Sequence, residues 1–492
     1  MRFKHYLYAV AMLATLGVST TSCDDDDEDE IAVVPDGGDD DANGDSTEGA
    51  NFTVSGDVSG VWEAGSVVGV TGHITVPEGQ SLTIEEGVTV VFPTEGVGTN
   101  HVPVEFIVKG NLYCKGTADA PVLMTIPEAE RTTANIHNAD HEWGGIVAYE
   151  SCEEMLIDHT IIEYTGGEVV QGSPAADAGY YEAGDDIYPQ ITTNNPNGRY
   201  VVTNSIIRYG QSDGIYMMGG RAIIANNIFA GNGYDGEEAV NVKSGCIVDV
   251  ARNIMYSPNT NGLKLSSGGQ SETRYQAEVT AYNNTILNAG WRRDGEKGGC
   301  IYVEENVLAN VFNNMMVNCK YRAQVPSWDD PNNTDGGFDT HSVIDYNCYV
   351  SARTKSDLII TEWEDDGEII AGQGIEYAWQ GYTYDHEDYH YGASTAEDGV
   401  TLIPAVDANS LIANGTEYYD PQFRNYDLDG ASMKNVVYDE SWDFTPTVNL
   451  QGAYNGNEAF AQPHFATSGL SVGGQTYTSP AVGAWFGCYA AN

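Results

Sequence analysis

The chain has 492 residues, with 21 Lys and Arg against 72 Asp and Glu, for a formal charge of −51. So acidic a surface repels nucleic-acid phosphates and anionic lipid headgroups, which argues against both as partners and leaves cations or neutral sugars. With 56 Gly and only 17 Pro, many Tyr, Val, Ile and Thr, and few stretches of helical periodicity, the composition is that of an all-β protein rich in turns.

In chain order, Arg2, Lys4 and His5 precede an apolar run from Tyr6 to Val18, then Ser19, Thr20, Thr21, Ser22 and Cys23. The run is too short to span a bilayer and has the form of a signal peptide over residues 1–22. Its ending resembles the lipoprotein signals of Bacteroidota, which implies that Cys23 is lipidated and becomes the mature N-terminus. Seven consecutive acids follow, Asp24 to Glu30, and no Lys or Arg appears before Ala50. Such a run repels itself and is expected to form a disordered tether over residues 23–50. Directly after a lipidated Cys it also resembles the export signal of Bacteroidota surface lipoproteins. That resemblance implies an outer-membrane protein facing outward, held to the membrane only by its lipid. The Asp45-Ser46-Thr47 tripeptide resembles a glycosylation site of the same bacteria.

From Gly72 to Phe92 the chain reads G-H-I-T-V-P-E-G-Q-S-L-T-I-E-E-G-V-T-V-V-F, short strands broken by Gly. E-F-I-V-K-G-N-L-Y-C-K-G-T-A-D-A-P-V-L-M-T follows from Glu105, W-G-G-I-V-A-Y from Trp143 and I-D-H-T-I-I-E-Y from Ile157. Over roughly Val67 to Tyr164 this order resembles the opening rungs of the right-handed parallel β-helix surface lipoproteins of Bacteroidota. The resemblance implies the fold and carries no catalytic motif. Residues Glu168 to Gly198 lack strand pattern and are expected to form a loop thrown out from one rung.

Rungs resume at Tyr200 and run to about Ser351, counted by Asn227, Asn253, Asn284, Asn314 and Asn347 with gaps of 26, 31, 30 and 33 residues. Repeats too small to bury their own apolar face must stack on their neighbours. An Asn at one place in each turn suits a ladder, since an amide both donates and accepts. The expected fold is therefore an all-β, right-handed parallel β-helix, a single-stranded solenoid over residues 51–351. Beyond it, Y-Y-D-P-Q-F-R-N-Y-D-L from Tyr418 and V-G-A-W-F-G-C-Y from Val482 resemble closing rungs of the same family. Residues 352–492 are read as irregular final rungs and a C-terminal cap, with a separate small domain as the alternative.

Aligning the strands G-I-Y-M-M from Gly214, A-V-N-V-K from Ala239, G-L-K-L-S from Gly262 and C-I-Y-V-E from Cys300 separates two faces. Ile215, Val240, Leu263 and Ile301, with Met217, Val242, Leu265 and Val303, share the core face. The other face carries Tyr216, Asn241, Lys264 and Tyr302 in one column and Met218, Lys243, Ser266 and Glu304 in a second. At roughly 4.8 Å per rung, Lys243 and Glu304 would stand about 10 Å apart with Ser266 between them. Tyr rings stack on pyranose rings, while amides and ammonium groups take hydroxyls and carboxylates. Tyr216, Asn241, Lys243, Lys264, Tyr302 and Glu304 are therefore the candidate binding residues for a carbohydrate or another extracellular ligand. Asp213, Asp235, Glu237, Glu238, Arg292, Arg293, Asp294 and Lys297 are expected to border that face.

A polysaccharide lyase or glycoside hydrolase is the alternative, but strand-borne carboxylates are sparse apart from Glu304 and Glu305, and no catalytic residue is assigned. An adhesive stalk, or an accessory lipoprotein partnering an outer-membrane transporter, is a further alternative. The H-E-D-Y-H of His386–His390 spells a zinc motif, yet its Tyr-rich surroundings offer no helix to align the two His, so no metal site is assigned. The acidic loops Asp427–Gly430 and Asp329–Gly336 could hold Ca2+ through oxygen ligands. Of the Cys after Cys23, seven in number, Cys246, Cys300 and Cys348 touch predicted strands and are read as buried thiols, with a disulfide possible.

Overall fold

The computed structural model describes residues 45–492 except 235, 294–297, 327–338, 356–359, 366–367, 385–390, 397, 457–459 and 461. Cys23 and the acidic tether as far as residue 44, Asp235, Asp294, Lys297, the His386–His390 motif and the Asp329–Gly336 loop lie outside the described residues. Residues 45–50, expected to belong to the tether, instead form a turn against the first rung, where the Ser46 hydroxyl donates to Val70 O. Gly44–Asn492 forms a single compact unit.

That unit is a parallel β-helix with three strands to a rung. Ile215–Met217, Gly220–Ala225 and Ile228–Ala230 make one rung; Val240–Val242, Cys246–Ala251 and Ile254–Tyr256 make the next. Each strand pairs in parallel with its counterpart one rung on, so the chain builds three long sheets. The first sheet has ten strands, from Gly60–Trp62 to Val343–Ile344. The second runs from Thr89–Val91 to Leu411–Ile412, and the third from Phe106–Val108 to Ile301–Glu304. One long strand, Val67–Val76, turns the corner between them: its start pairs with Thr89–Val91 and its end with Phe106–Val108.

The corners differ in length, and this positions the site. First and second sheets are joined by two residues: Asn226-Asn227, Arg252-Asn253, Asn283-Asn284 and Asn313-Asn314. The first of each pair has φ between +52° and +59°, the left-handed conformation that reverses the chain within so few residues. The second is a ladder Asn. Asn227 Nδ2 donates to Asn253 Oδ1 (3.0 Å), Asn253 to Asn284 (2.9 Å), Asn284 to Asn314 (2.9 Å) and Asn314 to Asn347 (3.1 Å). Each Oδ1 also accepts the preceding ladder residue's backbone N–H. The ladder is longer than its Asn residues: Thr160 N–H donates to Ser205 Oγ and Asn347 N–H to Ser410 Oγ, so hydroxyls continue it at both ends.

The core is apolar along the axis. The eight residues assigned to the inward face between Ile215 and Val303 are at most 1% exposed. Phe92 stacks on Trp143 with ring centroids 3.8 Å apart. Cys114, Cys152, Cys246, Cys300, Cys319, Cys348 and Cys488 are all buried free thiols. Ser46 is buried too, and its hydroxyl donates to Val70 O at 2.8 Å, so it is closed to a glycan while the first rung is folded.

The region after Ser351 closes the stack and also returns along it. The short helix Ala378–Tyr382 seats the Tyr382 hydroxyl on Val350 O (3.0 Å), and Leu411–Ile412 adds a last parallel rung. The chain then folds back over the outside of the rungs. Tyr426, Tyr438, Phe444 and Phe486 pack on Ile254, Tyr256 and Leu287 of the second sheet. Phe465, Leu470 and Val472 cover Leu156, Val201 and Ile223 of the first sheet. Asp249, fully buried, fastens this strap by accepting from His464 N–H, Phe465 N–H and Ser479 Oγ. The Asp429 carboxylate likewise accepts from Arg353 and Thr354 N–H groups, tying the Asp427–Gly430 loop to the end of the stack.

Candidate functional site

The strap leaves the third sheet open. Along its outer face Ile107, Val147, Thr192, Tyr216, Asn241, Lys264 and Tyr302 are successive register partners, and Tyr302 bridges to Gln324. This column is apolar at one end for a reason. The segment expected to be a patternless loop holds the strand Ile191–Thr193 and the short helix Pro174–Asp177, and Val169, Ala175 and Tyr188 pack over Ile107 and Val147. The loop stops at Thr192, where Tyr181 Oη meets Thr192 Oγ1 at 2.5 Å, and beyond it the column is polar.

Connections between the second and third sheets wall this open stretch. The result is a cleft of about 790 Å³, lined by all six candidate binding residues, Tyr216, Asn241, Lys243, Lys264, Tyr302 and Glu304. Tyr180, Tyr181, Asp185 and Asp186 form one wall, and Glu237 and Arg293 line the cleft as well. Arg292 does not border the cleft as its sequence neighbours suggested. Its guanidinium turns inward and donates to the carbonyls of Asn232 (3.0 Å), Gly233 (2.7 Å) and Ser257 (2.7 Å).

The second column departs from its expected pairing. Ser266 is in register with Glu304, but it is fully buried and its hydroxyl donates to Glu305 Oε2 at 2.5 Å. Glu304 instead reaches the first column, where Lys264 Nζ lies 3.2 Å from its Oε1 and 5.6 Å from the Tyr302 ring centroid. Burial alone would lower the Lys264 pKa; the carboxylates of Glu304 and Glu238 outweigh it and hold the ammonium above its ordinary range. Lys243 has no ion pair among the described residues, and burial, then Lys264, lowers its pKa.

One arrangement at the floor escaped the strand alignment. Asp213, Glu238 and Asn261 each stand two residues before a third-sheet strand, so they occupy one position on three consecutive rungs. Asn241 Nδ2 donates to Asp213 Oδ2 (3.1 Å) and to Glu238 Oε2 (3.3 Å), and Asn261 Nδ2 donates to Glu238 Oε1 (3.1 Å). Asp213 and Glu238 are 4% and 6% exposed. Burial first, then the charge of Glu238, drives the Asp213 pKa well above the carboxylate range. Extending the alignment two residues upstream of each strand would have registered this pair. The cleft wall at Tyr180–Asp186 carried no such signal. Among the described residues no group of three or more His, Cys, Asp or Glu is arranged to hold a metal ion.

Comparison with known proteins adds no assignment: no family model, curated protein or solved structure matches the chain.

Proposed function

We propose that this chain is a surface-anchored lipoprotein, held at the outer membrane through Cys23, that binds a saccharide in the cleft of the third sheet. The observation that carries the reading is the registered column Tyr216–Asn241–Lys264–Tyr302 on the floor of a walled cleft. Its volume falls within the roughly 300–1,000 Å³ of small-molecule sites. Two Tyr rings three rungs apart offer apolar faces to sugar rings, and the amide and ammonium between them offer donors to hydroxyls.

Six carboxylates and three cations line the cleft. That balance favours neutral or cationic sugars over polyuronates, and so favours binding over the lyase alternative. The test is a glycan array probed with the mature chain, followed by calorimetry on the best hit. Tyr216→Ala with Tyr302→Ala should lower affinity at least tenfold while leaving the circular dichroism spectrum unchanged. Undiminished binding by the double variant would move the site elsewhere, and release of reducing ends from the bound glycan would make the protein a hydrolase instead.

A further inference from the structure

The floor of the cleft holds buried polar atoms that the protein leaves unpaired. Asp213 and Glu238, on adjacent rungs, bring four carboxylate oxygens to it, which accept from Glu238 N–H and from the side-chain amides of Asn241 and Asn261. Turning both amide nitrogens toward the carboxylates leaves Asn241 Oδ1 and Asn261 Oδ1 without a partner, in side chains 7% and 2% exposed. Thr260 Oγ1, also lining the cleft, has no partner either. Buried polar atoms are rarely left unpaired, so such a cluster of unpaired acceptors calls for a donor from outside.

A sugar hydroxyl brings one donor with two acceptor lone pairs; an ammonium brings three donors and none. We infer that Asp213, Glu238, Asn241 and Asn261 form an ammonium subsite, and that the preferred ligand is a saccharide bearing a free amine. This rests on the saccharide reading of the cleft and narrows it to a class. Tyr216, next to Asn241 in register, sits where its ring can flank the same group. Lys243 lies two residues beyond Asn241 along the strand, at the far side of the cleft floor, where its ammonium is placed to donate to hydroxyls of the same ligand.

The groups facing Asp213 are Glu238, Glu237 and Asn241, and Tyr216 lies within reach of its charge. Burial, then the charge of Glu238, raises the Asp213 pKa, as two carboxylates held this close repel each other. An arriving ammonium would offset that repulsion.

The test is isothermal calorimetry on the mature chain with a β-1,4-linked glucosamine tetrasaccharide and its fully N-acetylated counterpart. The expected result is at least tenfold tighter binding of the free amine. Asp213→Asn and Glu238→Gln, near-isosteric changes, should each erase the preference while both sugars still bind. Equal affinity for the two sugars overturns the ammonium subsite and leaves the saccharide site standing. Binding of neither, on an array that also finds no other glycan, sinks the saccharide reading itself. A thermal shift with CaCl2 alone that Asp213→Asn abolishes would make the floor a metal site and overturn the proposal.

Discussion

Lys264 Nζ lies 3.2 Å from Glu304 Oε1, across one rung of the third sheet, and this contact sets the charge pattern of the cleft floor. The two side chains are 26% and 19% exposed, so solvent screens the pair and its contribution to stability is about 1 kcal/mol. Its larger effect is expected on the ligand. Glu304→Gln should leave the melting temperature within a few degrees of the parent and change saccharide affinity severalfold. Lys264→Met should lower affinity more, because it removes a donor from between the two Tyr rings. Calorimetry against the best glycan checks both; an effect on melting with none on affinity would put the pair outside the binding site.

The Asn ladder is expected to be least tolerant at its middle. Asn284 accepts from Asn253 N–H and Nδ2 and donates to Asn314 Oδ1 and Val250 O, all buried. Asn284→Ala orphans several of these groups and should cost about 3–5 kcal/mol. Asn227→Ser should cost less than Asn284→Ser, since Ser205, one rung before Asn227, already serves the ladder with a hydroxyl. Urea unfolding of the three variants gives the order directly, and equal losses for the two Ser variants would refute it.

Docking of the cleft wall should depend on pH through Glu105. This buried carboxylate accepts from Tyr188 Oη (2.6 Å) and Ala175 N–H (3.1 Å), both in the covering segment. Burial, which outweighs those two hydrogen bonds, raises its pKa from 4.5 to about 7. The folded state therefore keeps a proton that the unfolded segment has released, and docking weakens as pH rises from about 4.5 to about 7. Hydrogen exchange of residues 169–188 should be faster at pH 8 than at pH 5 after correction for the intrinsic rate. Glu105→Gln should flatten that difference; a difference that persists would assign it to another group.

The strap has a titration of opposite origin. Burial would lower the His464 pKa, but its hydrogen bond to Asp249, with the charges of Asp249 and Glu278, raises it. The stabilisation is complete below the unfolded value of about 6.5 and is lost as pH rises through the folded value. Asp249→Ala removes the buried partner of that imidazolium and two backbone N–H contacts, and should cost about 3–5 kcal/mol. Limited proteolysis should cut near Phe465 in this variant and spare the parent. His464→Gln should be milder and should remove the pH dependence of melting above pH 6.5; unchanged pH dependence would exclude His464.

The repeat, the ladder and the separation of core from surface were all legible in the sequence, because they rest on local rules. A strand alternates every residue, an Asn after a left-handed turn residue recurs once a rung, and stacking in register carries both from one rung to the next. Those rules also aligned Tyr216, Asn241, Lys264 and Tyr302 and sent Ile215 and Val240 inward. Tertiary structure alone decided what covers each face. The 169–188 segment lies over Ile107 and Val147 and stops at Thr192, and the C-terminal strap packs on the first and second sheets, so this cleft opens on the third. It also turned Glu304 toward Lys264, Ser266 toward Glu305 and Arg292 toward backbone carbonyls. Such choices depend on the reach of long side chains and on contacts between residues up to hundreds of positions apart, and no period in the sequence encodes either.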